Sequence, residues 1–148
     1  MEDGSFTKTT GELFLSDRNW EEAAGVKPDK EFNYVAMFYH NSSNPDSFAN
    51  AEKKIWGPFI KASMDKNLTK QRGWGNAVVL APQGSSMKFN SVSFDLFPSL
   101  KDVLLQQWDS TTQFPSTEAF GELDKLRINP PNREIYRVVK VVTPTPSK

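Results

Sequence analysis

FNYVAMFYH, residues 32–40, is the stretch of sequence that decides the fold. Successive side chains of a strand point to opposite faces. Apolar side chains fall on both faces here, with Tyr34, Ala36 and Phe38 on one and Val35, Met37 and Tyr39 on the other. This pattern is typical of a strand that is covered on both sides, so we expect it to lie in the centre of a sheet.

A long helix is predicted over residues 41–67, with Ser43, Asn44 or Asp46 as its N-cap and Pro45 near its first turn. The predicted stripe comprises Phe48, Ala51, Ile55, Phe59 and either Ala62 or Ser63. Since this stripe stays in phase across Gly57-Pro58, we expect the proline to kink the helix without ending it. The lysines of this region, with Glu52 among them, predict a solvated face.

Three further strands are predicted, at 73–82, 87–97 and 134–142, and the first two form an antiparallel hairpin. A helix begins at Pro98-Ser99, and another amphipathic segment covers 116–128. Glu118 and Glu122 lie four residues apart in that segment, where we interpret them as solvated charge. Residues 1–31 are predicted to be an N-terminal arm with a short edge strand, and 143–148 a flexible tail.

The order strand–helix–strand–strand–helix–strand over residues 32–142 resembles the ferredoxin-like α+β fold with an antiparallel sheet. The segments YVAMFYH, GWGNAVVL and SVSFDLFPSL, with the Ile55–Pro58 break, resemble the dimeric α/β-barrel superfamily. That resemblance implies a homodimer in which two sheet faces meet across a two-fold axis. The strand at 32–40 supports this, because it is apolar on both faces whereas helices cover only one face of such a sheet. A second copy of the chain would cover the other face.

Composition limits the chemistry that is available to the chain. There is no cysteine and a single histidine, His40, so we expect no metal site and no cofactor. Haem-using members of the superfamily carry a histidine on a helix, whereas His40 ends a predicted strand. The formal net charge is zero and YVAMFYH carries no lysine or arginine, so we expect no nucleic acid as partner. No apolar run is long enough for a membrane span, and we expect a soluble protein, cytoplasmic by default.

Tryptophans and glycines mark a candidate ligand site. Trp56 and Trp74 meet where the first helix delivers the chain to the second strand, and Gly57, Gly73 and Gly75 leave space beside them. Asn76 shares a strand face with Trp74 and supplies one oriented polar group. His40, the residue with an ordinary pKa near neutrality, is the candidate catalytic residue and is expected at the rim of the pocket.

Two functions compete on this evidence. One is a small-molecule-binding domain, and in its finer form a metal-free enzyme that acts on a small apolar or aromatic substrate. The alternative is a non-catalytic dimeric module for assembly or regulation. An open cleft reached by His40 or Asn76 favours the first, whereas a closed core of packed indoles favours the second.

Overall fold

A computed structural model describes residues 13–83 and 87–142. Its strands are β1 (Phe14–Glu22), β2 (Tyr34–His40), β3 (Gly73–Ala81), β4 (Ser91–Phe97) and β5 (Asn132–Arg137). Its helices are α1 (Pro28–Glu31), α2 (Pro45–Asp65), α3 (Leu100–Leu105) and α4 (Thr117–Leu126). Predictions for residues 1–12, for the turn residues 84–86 and for the tail 143–148 lie outside the described residues.

The five strands form one antiparallel sheet in the order β1-β3-β4-β2-β5. The last four strands in this order have the ferredoxin-like arrangement, with β2 in the interior and β5 at one edge. β1 is added at the other edge, beside β3. The predicted α+β, ferredoxin-like fold is therefore confirmed, and the sheet is open rather than closed into a barrel. The division of the chain at residue 31 stays a prediction.

Three local predictions about the strands and turns need correction. β5 ends at Arg137, earlier than predicted, and begins two residues sooner, at Asn132. β1 runs for nine residues, well beyond the predicted run Leu13–Leu15. A short helix, α1, occupies the predicted loop before β2, where Pro28 fits the first turn.

Helix α2 begins as predicted, since the Asn44 side chain accepts a hydrogen bond from the Ser47 N–H at 2.9 Å. It continues through Pro58 to Asp65. The predicted buried stripe is wrong in part: Phe48 and Ser63 are buried, but Ala62 is exposed and Ala51 and Ile55 are only half-buried. The buried residues are Phe48, Ala49, Glu52, Gly57, Ile60, Ser63 and Met64. Within the described residues, no helix has the length and apolarity to cross a membrane.

The helices lie on one face of the sheet. Ile60 and Met64 of α2 pack against Trp74 of β3, and Val103 of α3 packs against Ala36 and Phe97. These contacts bury the side chains of β2, β3 and β4 that point toward the helices. The core therefore sits between α2, α3 and the sheet.

The opposite face of the sheet, here called the outer face, is rich in aromatic side chains, and none of the helices in the described residues covers it. Trp20 of β1 lies 5.9 Å from Phe94 of β4, centroid to centroid, and remains 46% exposed. Gly75 makes this packing feasible. A Cβ atom there would lie 2.5 Å from Phe94 Cζ and 2.9 Å from the Asn19 carbonyl oxygen. The ring therefore occupies the space that any other residue at position 75 would need.

Candidate functional site

A cavity of about 280 Å³ lies between α2 and the helix-covered face of the sheet. Alternate residues of β2 and β4 form its floor: Phe38, His40, Ser93, Asp95 and Phe97. Glu52, Trp56 and Ile60 of α2 form its roof, since residues four apart share a helix face. The segments after α2, α3 and α4 close its sides. The cavity is at the small end of the usual range for ligand pockets.

His40 lies inside this cavity and not at its rim, because only 3% of its surface is exposed. Its Nε2 lies 2.7 Å from Ser93 Oγ and its ring stacks near Phe48. Its Nδ1 is buried and has no hydrogen-bond partner among the described residues. His40 lies deeper than the expected position at the rim because β2 ends beneath α2, whose first turns cover the imidazole.

Glu52 projects from α2 into the cavity and is 2% exposed. Asn76 donates a hydrogen bond to its Oε2 at 2.9 Å. Burial raises the pKa of Glu52 to about 7, and hydrogen bonds from Asn76 and Ser93 and the charge of Arg127 act in the opposite direction. A carboxyl group with this pKa is present in both protonation states at neutral pH.

Asp95 is the second carboxyl group of the cavity. Gln71 donates a hydrogen bond to its Oδ1 at 2.8 Å, and Gln106 makes a longer contact of 3.5 Å with Oδ2. Burial of the carboxyl group raises the pKa of Asp95 to about 7. The hydrogen bond from Gln71 acts in the opposite direction, and the charge of Glu52 adds to the upward shift. The cavity therefore holds two coupled acids that titrate near neutrality.

His40, Ser93 and Glu52 form a polar chain. Burial, followed by the charge of Arg127, lowers the pKa of His40 to about 3, so the imidazole is neutral at pH 7. The 3.9 Å separation between His40 Nε2 and Glu52 Oε1 is therefore not an ion pair. With its proton on Nε2, His40 would donate a hydrogen bond to Ser93 Oγ, and the Ser93 hydroxyl would donate to the Glu52 carboxyl group. This tautomer leaves only an acceptor lone pair unpaired at Nδ1, which costs less than a buried N–H.

Aromatic rings form the apolar walls of the cavity. Trp74 is 2% exposed, and Trp56 and Trp108 contribute the other two indoles. Trp56 and Trp108 both stack on Phe59, at centroid distances of 5.1 Å and 5.2 Å. These mutual contacts hold the rings in place around the cavity instead of letting them collapse into it.

Of the residues singled out in the sequence, the structure brings His40, Trp56 and Trp74 to one cavity. Asn76 lies just behind the wall, where it donates to Glu52 and to the Ala49 carbonyl and accepts from Asn19. Their roles toward a ligand stay predictions. Glu118 and Glu122 are exposed, as interpreted above.

Sequence reasoning missed Glu52, the residue of α2 that faces the polar floor of the cavity. It was grouped with the lysines that follow it in the chain, Lys53 and Lys54, which are exposed. The spacing of Glu52, Trp56 and Ile60, four residues apart, was the available signal. A carboxylate in phase with two large apolar residues belongs to their face. In the described part of the chain, no group of three or more His, Asp or Glu side chains could hold a metal ion.

No protein-family model matches the sequence, and no curated protein matches it either.

The fold is similar to a solved structure described as a crystal structure study of an anthrone oxidase-like protein. The TM-score is 0.58, the sequence identity is 13%, and the match covers 85% of this chain and 54% of that chain. The chain therefore spans about half the length of the solved chain that it matches. At this identity the likeness shows the fold alone. It supports a fold related to the one that the sequence resemblance implies.

Proposed function

We propose that the chain is a small-molecule-binding domain whose ligand is small and apolar or aromatic. The cavity carries this proposal, because it combines three indole walls with a few oriented polar groups, the usual composition of such a site. The likeness to an anthrone oxidase-like protein is consistent with an aromatic ligand.

The alternative, a module without a ligand, is less well supported by the same geometry. If the indoles served only as core, Trp56 and Trp74 would fill the space between α2 and the sheet. Instead, a cavity remains between them, and two partly uncompensated carboxyl groups face it. Buried charge without a partner lowers stability, so its presence favours a ligand.

Metal-free catalysis is the finer form of the proposal. His40 would be the catalytic residue and would exchange a proton with Ser93 and Glu52 through the polar chain described above. Because its pKa is low, His40 is neutral at pH 7 and would accept a proton only transiently. Glu52, with its pKa near 7, is the better-matched proton acceptor.

A metabolite library screened by thermal shift and intrinsic tryptophan fluorescence tests ligand binding. We expect a small aromatic compound to raise the melting temperature and to change the fluorescence. The Trp56→Ala variant should bind this compound about tenfold more weakly, since it loses one stacking wall. Leu104→Ala, on an exposed position of α3, is the control and should bind normally. Equal affinity of both variants would contradict the proposed site.

We also propose that two copies of the chain associate through the outer faces of their sheets. Val35, Met37 and Tyr39 of β2 lie on this face, beside Phe94 and the exposed Trp20. An apolar face that lacks a covering layer is typical of a protein interface. Self-association about a two-fold axis is the commonest way to cover one.

Light scattering at micromolar concentration tests this assembly. We expect a mass of twice the 16.7 kDa chain. Met37→Lys should yield monomers, because a charge would then be buried at the interface. Leu105→Lys places the same charge on exposed α3 and should leave the mass unchanged. A monomeric mass for the unmodified chain would rule the dimer out.

A further inference from the structure

We propose that the ligand of this cavity is a small organic cation, a protonated amine on an apolar or aromatic body, bound by Glu52 and Asp95. This inference rests on the proposed function and names the chemical class of the ligand. Three observations support it. The two carboxyl groups have no cationic partner among residues 13–83 and 87–142, acceptor atoms in the cavity are free within the same ranges, and the walls are aromatic.

Neither carboxyl group has a cationic partner in the part of the chain that the structure describes. The groups that hold them are amides, Asn76 at Glu52 and Gln71 at Asp95. His40 is the nearest basic side chain to Glu52, but its ring is neutral. Buried carboxylates normally pair with a cation, and here a bound ammonium group would supply it.

Two arginines face this region, and both are engaged elsewhere. Arg127 pairs with Asp124 at 3.0 Å and lies over the ring of Phe48. Arg133 donates to the Val103 carbonyl at 2.5 Å and lies over the ring of Phe38. Neither forms an ion pair with Glu52 or Asp95 among the described residues. Their charges act on the carboxyl groups from a distance only.

The cavity presents more acceptors than donors to a ligand. Asp95 Oδ2 has only the 3.5 Å contact with Gln106, and His40 Nδ1 has no partner in the described structure. In the tautomer assigned above, Nδ1 is also an acceptor. An ammonium group carries three donors and no acceptor, which complements such a set. Arg127 Nε, buried without a partner among the described residues, suits an acceptor elsewhere on the ligand.

Trp56, Trp74 and Trp108 add a second attraction for a cation. A cation near the face of an indole is drawn by the ring quadrupole, most strongly when water is excluded. The same walls accommodate an apolar or aromatic body. Carboxyl groups and indoles together therefore favour a cationic ligand over a neutral or anionic one of equal shape.

Binding of a cation should be linked to proton release. Glu52 and Asp95 are each partly protonated near neutral pH, and a bound ammonium group would favour their ionised forms. Arg127 and Arg133 stay charged, and His40 stays neutral, so the two acids are the source of the released protons. Calorimetric titrations at pH 6.5 in buffers of different ionisation enthalpy measure this release directly.

Three ligands with one carbon skeleton test the inference on the full chain, namely 2-phenylethylamine, 2-phenylethanol and phenylacetate. We expect the amine to bind at least about tenfold more tightly than the alcohol, and phenylacetate to bind most weakly. Only the amine should release protons. Glu52→Gln and Asp95→Asn should each reduce the preference for the amine while keeping affinity for the alcohol. Glu122→Gln, an exposed acid on α4, should keep the full preference.

The outcomes separate this inference from the proposed function. Alcohol binding as tight as amine binding, or phenylacetate binding most tightly, would overturn the cationic ligand and leave the binding site intact. Absence of binding by all three also overturns it, whereas only failure of the library screen removes the proposed function. If a variant fails to fold, proton release by the unmodified chain still decides the question.

Discussion

Replacing Trp74 with alanine is expected to lower the free energy of unfolding by about 3–5 kcal/mol, as is usual for a large aromatic residue removed from a core. Trp74 is 2% exposed and packs against Ile60 and Met64. Its ring also lies 3.7 Å from the position of a Cβ atom at Gly57, so α2 is seated closely on it. Urea unfolding followed by circular dichroism measures the loss.

Phe114→Ala is the control, because this aromatic side chain is 50% exposed in the segment between α3 and α4, away from the outer face. Its loss should be smaller than that of Trp74→Ala at the same protein concentration. A Trp74→Ala protein that keeps its stability but loses its ligand would contradict the core role. Trp74 would then belong to the ligand site alone.

The stability of Glu52→Gln relative to the unmodified chain is expected to increase by about 3 kcal/mol between pH 4 and pH 8. The folded-state pKa of Glu52 is raised to about 7 from an ordinary value of 4.5. Protonated Glu52 therefore contributes its full stability below pH 4.5, and this contribution is lost as the pH rises through 7. Glutamine does not titrate, so the difference between the two proteins reports Glu52 together with the part of the Asp95 pKa shift that the charge of Glu52 causes.

The total pH dependence of the unmodified chain is less informative, because His40 acts in the opposite direction. Its pKa is lowered to about 3, so the stability of its neutral form is complete above pH 6.5 and lost as the pH falls toward 3. Urea unfolding of both proteins at each pH is therefore compared pairwise. Exposed Glu122→Gln is the control and should show a flat difference. A flat difference for Glu52→Gln would show that its pKa is ordinary.

The layers of the fold were predictable from the sequence because they depend on local periodicity. Two-sided apolar alternation predicted β2 as an interior strand, and Asn44-Pro45 predicted the start of α2. The side of α2 that faces the sheet was predicted wrongly. Periodicity of apolar residues finds a buried face only when that face is wholly apolar, and here Glu52 interrupts it.

The candidate site was predictable only in part, for a related reason. Trp56 and Trp74 were expected near each other because the end of the first long helix leads the chain to the start of the next strand. For Asp95, which shares a strand face with Ser91 and Ser93, the sequence left a polar lining and a solvent face equally open. Its environment depends on Gln71 and Gln106, which reach it from other elements. The burial of His40 likewise depends on where α2 crosses the sheet. Such contacts between distant segments leave no local pattern in the sequence.

Gly75 carries a consequence for how far related sequences can diverge. The ring of Phe94 and the carbonyl of Asn19 occupy the place of a side chain at position 75, so even alanine would displace a ring and a neighbouring strand. At Gly121, by contrast, a Cβ atom would meet nothing within 4 Å. A side chain at position 75 would therefore require both a smaller residue at 94 and a shift of the strand that carries Asn19. Chains that have lost all other resemblance to this one would still share glycine at 75 and a large aromatic residue at 94 if they kept its outer face.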